Sequence, residues 1–159
     1  MLKIDLICIG KLKEDYWRAA CAEYAKRLSA YCHFTIKELP ECRLPDKPSV
    51  AQILAALDEE AAKILEAAGR SAIVALCIEG GMLSSEQFAE KLDRMCVNGT
   101  GSISFVIGSS FGLSDLVKQK AALRLSFSPM TFPHQLARVV LCEQVYRAFQ
   151  INTHGKYHK

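Results

Sequence analysis

Three groups of residues in the last third of this 159-residue chain have the types and spacing to do chemistry. The first is Gly108-Ser109-Ser110-Phe111-Gly112, a literal G-x-S-x-G between an apolar run and a helical one. That is the setting of a hydrolase nucleophile elbow, with Ser110 as nucleophile and Asp115 and His134 following in order. Asp115 comes only five residues after Ser110, however, where the first turn of a helix uses an acid against its dipole. The same two glycines equally suit a loop whose backbone closely approaches a bound molecule. The second group is Phe127-Ser128-Pro129-Met130-Thr131-Phe132, a polar turn between aromatic residues at the end of a strand-like run. The third is the terminal Tyr157-His158-Lys159, with Arg138 and Arg147 on the preceding helix. Histidine can take a proton near neutrality, tyrosine can stack on or orient a ring, and arginine can stabilise a developing anion. His154 and His158 are four apart, but Gly155 lies between them and no third ligand stands nearby, so no metal is expected.

Alternating strands and helices must position these groups. Strands are expected at Lys3 to Ile9, Phe34 to Leu39, Ala72 to Ile78, Ile103 to Ile107 and Leu123 to Phe127. Helices are expected over Glu14 to Ser29, Val50 to Ala68 behind Ser49, and Ser85 to Cys96 with Ser85 as cap. A short helix follows the glycine loop, and a long amphipathic one opens at Pro133. Pro40, Pro45 and Pro48 make residues 40–49 a loop, and Gly80-Gly81 reads as a turn. Alternation of this kind predicts a parallel α/β sheet with helices on both faces. Two loops at strand ends then define a small-molecule site. On the last helix Leu136, Val139, Val140, Cys142, Val145, Ala148 and Phe149 form an apolar surface wide enough to serve a dimer contact or an internal core.

Half of the residues are apolar and the charge is mixed, which predicts one globular domain over residues 1–159. The longest apolar run, Ala72 to Ile78, is too short to span a bilayer, and Asp5 interrupts the first apolar stretch where a signal peptide would need none. A cytoplasmic protein with no membrane partner is expected. The seven cysteines form no CxxC pair and read as buried free thiols. Net charge is +3, but residues 1–112 carry −2 and residues 113–159 carry +5. A basic end beside a candidate site suits a polyanion such as nucleic acid.

The segments FVIGSSFGLS, LSFSPMTFPHQLARVVLCEQVYRAF and the terminal YHK resemble one family over essentially the whole chain. It is the RlmH type of SPOUT methyltransferase, which methylates N3 of a pseudouridine in 23S ribosomal RNA. The resemblance implies a C-terminal trefoil knot, a homodimer, S-adenosylmethionine as methyl donor and the assembled ribosome as partner. It places donor contacts on Leu76, Gly108 and Phe127 through Phe132. The chemistry fits, since Gly108 permits backbone approach, backbone groups of residues 128–131 can meet an adenine edge, and Leu76, Phe127, Met130 and Phe132 can wall it. His158, Tyr157, Arg147 and Arg138 are the expected catalytic residues, with His158 as base for the imide proton. The chain departs from the family at Ser109, where a second glycine is usual, and at Phe111, where a polar residue is common.

Overall fold

The computed structural model describes residues 1–159. Five strands, β1 (Lys3–Ile9), β2 (His33–Leu39), β3 (Ala72–Met82), β4 (Ser102–Ile107) and β5 (Leu123–Ser126), form one sheet in the order β2-β1-β4-β3-β5. All pairings are parallel. Five helices, α1 (Asp15–Leu28), α2 (Val50–Ala68), α3 (Ser85–Val97), α4 (Asp115–Lys120) and α5 (His134–Asn152), cover it.

Both faces are buried, as the continuous apolar runs require. Side chains alternate across the sheet. Ile4, Leu6, Cys8, Val74, Ile103 and Phe105 meet Cys21 and Leu28 of α1, Phe88 and Leu92 of α3, and Leu141, Cys142 and Val145 of α5. Ile7, Ile9, Ile73, Ala75 and Val106 meet Ala61 and Ile64 of α2 and Val117 of α4. The width of the apolar surface on α5 has an internal explanation, because α1 and α3 flank it on the same face.

Two expected details differ. The cap of α3 is Ser84, whose side chain accepts from the Gln87 amide in a capping box; Ser85 instead donates to Gln144 Oε1 at 2.7 Å, docking α3 on α5. Gly80-Gly81 is not a turn that ends β3. Leu125 pairs with Leu76 and again with Gly81. The register shifts between Leu76 and Gly81, so the chain between them leaves regular pairing and bulges against β5. A Cβ on Gly80 would stand 2.6 Å from the Leu125 carbonyl carbon, so only glycine lets the two backbones approach this closely. The Gly-Gly pair marks close backbone approach rather than a change of direction.

Candidate functional site

The C-terminal ends of β3, β4 and β5 open into one cavity of about 620 Å³. Leu76 to Glu79 of β3 line one side, the loop after β4 another, and residues after β5 the rest. Leu76, Gly108, Phe127, Ser128, Met130, Thr131 and Phe132 all lie on its wall, while Pro129 does not. Three stretches separated by tens of residues are thus brought together by parallel strand ends, the place where open α/β sheets bind ligands.

The glycine loop is a tight hairpin. The Gly112 amide donates to the Ser109 carbonyl at 2.8 Å, and Gly112 holds φ +88. A Cβ on Gly108 would fall 2.1 Å from the Gly112 carbonyl oxygen. Gly108 is therefore required by the closure of its own hairpin. Ser109 does not open the loop. Its hydroxyl and the Cys42 amide both reach Glu60, a carboxylate of α2 that burial pushes above its usual range. Ser114 caps α4 and donates to Asp58 at 2.6 Å, so α2 grips both ends of the hairpin. After β5, the Ser128 hydroxyl accepts from the Met130 amide at 3.0 Å, fixing the turn between Phe127 and Phe132.

The Ser110 hydrolase arrangement does not assemble. His134 lines the same cavity, but its Nδ1 is buried without a partner, where a triad requires an acid. Burial, and then the Arg138 charge, hold the His134 imidazole below its usual range. Asp115 sits in the first turn of α4, as its spacing suggests.

Arg138 is fully buried, with both terminal nitrogens engaged and Nε buried without a partner. Nη1 donates to Glu38 at 2.8 Å and Nη2 to the carbonyls of Ile9 and Gly10. It ties the N-terminal half of α5 to the ends of β1 and β2. The contacts of the expected catalytic Arg138 in this structure are structural ones. The sequence shows only an arginine at a helical position, whereas its acceptors lie about a hundred residues away.

The remaining three expected catalytic residues meet one another, away from the cavity. The chain reverses at His154 (φ 57) and Gly155, where any Cβ would strike the Gln150 side chain, and returns along α5. Tyr157 lies edge-on to Tyr146, with ring centroids 4.9 Å apart, and under the Arg147 guanidinium at 4.7 Å. Its hydroxyl donates to Glu143 Oε1 at 3.1 Å, and Arg147 Nε donates to the same oxygen at 2.9 Å. Arg147 Nη1 lies 3.0 Å from His158 Nδ1. Arginine only donates, so Nδ1 accepts, Nε2 carries the hydrogen, and that N–H faces Glu86 of α3 at 2.8 Å. The tail is docked rather than frayed. Sequence reasoning missed Glu86, which no spacing rule connects to residue 158.

Within one protomer the cavity and the tail are apart. Ala137 on the cavity wall and Arg147 in the tail cluster are ten residues apart on α5, about 15 Å along its axis. No three histidine, cysteine or acidic side chains converge as metal ligands, and no helix is long and apolar enough to cross a membrane.

The structure is a parallel sheet with one cavity built from three strand ends. Residues 2–158 match the family model described as "Predicted SPOUT methyltransferase", and the chain belongs to that family. It is 49% identical over 159 residues to "Ribosomal RNA large subunit methyltransferase H" of Streptococcus equi subsp. zooepidemicus, covering 99% of this chain and 100% of that one. Identity to the protein of the same name from Bacillus thuringiensis strain Al Hakam is 48%, with the same coverage. In fold, the chain resembles the tRNA (m1G37) methyltransferase of Aquifex aeolicus, with a TM-score of 0.53 at 12% identity over 91% of this chain and 69% of that one.

Proposed function

We propose that the chain is an S-adenosylmethionine-dependent methyltransferase acting on N3 of a pseudouridine in 23S ribosomal RNA. Near 49% identity along the whole chain to proteins named for large-subunit ribosomal RNA methylation carries the reading. The residues present fit the donor. The cavity is the size of a nucleoside ligand, its walls at Leu76, Phe127 and Phe132 are apolar, and Ser128, Met130 and Thr131 border it. When bound there, S-adenosylmethionine supplies an electrophilic methyl group on a sulfonium. The trefoil knot that the family reading implies would lie where Gly80 of β3 packs against the β5 backbone.

The chain's own part of the reaction is acid–base and positional. N3 of an imide attacks only once its proton is removed. His158 presents the right group, in the neutral tautomer that Arg147 selects. As docked, both of its nitrogens are engaged, so it works only after the tail leaves Glu86. Tyr157 then orients the uracil ring and Arg147 stabilises the imide anion. The 15 Å between tail and cavity within a protomer favours a tail that serves the cavity of a second copy, in a homodimer. Met130 and Ile78 stand well exposed at the cavity rim, apolar surface that such a partner would cover.

The test is transfer of labelled methyl groups to large ribosomal subunits lacking the modification, with the product base located by mass spectrometry. The reading predicts one methyl per ribosome on N3 of a pseudouridine. Absence of transfer to ribosomes, with the donor bound, would refute it.

A further inference from the structure

Most of the cavity wall is apolar side chain and backbone, but two opposite charges are set into it. Glu79, on the irregular segment of β3 beside β5, pairs with Lys118 of α4. They are the only carboxylate and the only ammonium on the wall. Their side chains keep 52% and 19% of their exposure, so an entering ligand can reach both. The Lys118 ammonium, chiefly through its hydrogen bond, holds the Glu79 carboxyl below the usual range. Lys118 has three donor hydrogens and Glu79 as its sole ion-pair partner, and the carboxylate has acceptor capacity to spare. An ion pair this open contributes little as a staple.

The proposed donor offers three kinds of surface to that wall. Its adenine and ribose are neutral and suit backbone groups. Its amino-acid end carries one ammonium and one carboxylate. We infer that Glu79 and Lys118 bind that zwitterionic end, Lys118 taking the α-carboxylate and Glu79 the α-ammonium. Opening one ion pair to form two leaves every charge matched, so no unpaired charge is trapped as the cavity fills. The assignment rests on the donor reading above and adds a recognition element to it. Neither residue stands out in the sequence, because the pair joins positions 39 residues apart on β3 and a six-residue helix.

The experiment measures binding, by calorimetry, of S-adenosylhomocysteine and of 5′-methylthioadenosine, which lacks the amino-acid end. The intact protein should prefer the first by about tenfold or more, the scale of two charge-assisted hydrogen bonds in a half-open site. In Lys118→Met and Glu79→Gln the preference should shrink to about threefold or less, through weaker S-adenosylhomocysteine binding alone. Lys118→Arg keeps the charge and should keep the preference, and melting temperatures establish that each variant is folded. Equal weakening of both compounds, or no change in either, would overturn the assignment. An intact protein that binds neither compound would overturn the donor reading itself.

Discussion

The donor cavity and the C-terminal cluster solve opposite problems. The cavity is a receptacle with few groups of its own to satisfy, shaped by backbone at Gly108, Gly112 and the turn after β5. The cluster is a set of reactive side chains that satisfy one another. Glu143, Arg147, Tyr157, His158 and Glu86 leave little hydrogen-bonding capacity free. The contrast teaches that the receptacle is shaped by backbone, while the chemistry proposed for the tail would need something to displace it from these contacts. It also separates residues that shape from residues that react, and mutations should divide along that line.

The largest effect should follow from filling the hairpin. Gly108→Val places carbon on the Gly112 carbonyl, so the loop must open. Two or three backbone contacts to the donor would go, at about 1 kcal/mol each, lowering affinity about 100-fold. Calorimetry on a folded variant checks this, and undiminished affinity would remove Gly108 from the site.

Truncating the other region should do the reverse. Deleting Tyr157 to Lys159 removes little core, so folding and donor affinity should stay near wild type while single-turnover transfer falls on the order of 10². His158→Ala should account for most of the loss if it is the base. Full activity in the truncated protein would end the catalytic role of the tail, and lost donor binding would make it a retention device.

Arg138 sharpens the division. As a buried structural ion it should show itself in stability: Arg138→Ala empties a buried site and leaves Glu38, 32% exposed, with the Leu12 amide, and should cost about 2–3 kcal/mol in a denaturant titration. A variant of wild-type stability that had lost only transfer would restore Arg138 to the chemistry.

The smallest effect is a pH dependence of tail docking. Burial, then Tyr24 and Glu143, push the Tyr157 phenol up to about 12 from an ordinary 10. A raised value means that docking contributes fully below about 10 and is lost as pH rises toward about 12. Phenolate absorbance of the protein against Tyr157→Phe should show this late ionisation. A Tyr157 phenol ionising near 10 would mean that the tail is not docked in solution.

The alternation of apolar runs with capped helices made the sheet, its two-sided cover and most element boundaries legible. The strand order was not, because pairing of β4 with β1, and of β5 with β3, depends on long-range burial rather than local pattern. Of the expected donor residues, all but Pro129 line the cavity, because loops at parallel strand ends converge whatever their spacing. What stayed hidden were side-chain partners from distant segments: Glu38 for Arg138, Glu86 for His158 and Lys118 for Glu79. Glycine was the other blind spot. Gly80 and Gly108 both mark backbone contact, which a sequence cannot tell from a turn.

The central claim is that one protomer's cavity works with the other's tail. Mixed dimers test it most directly. Gly108→Val chains keep the tail and lose the cavity, and chains lacking residues 157–159 keep the cavity and lose the tail. Neither alone should transfer methyl groups to ribosomes at an appreciable rate. After unfolding together and random reassociation, the mixture should recover about a quarter of wild-type activity, from one complete site in each mixed dimer. A mixture as inactive as its parents, with mixed dimers demonstrably formed, would contradict the account.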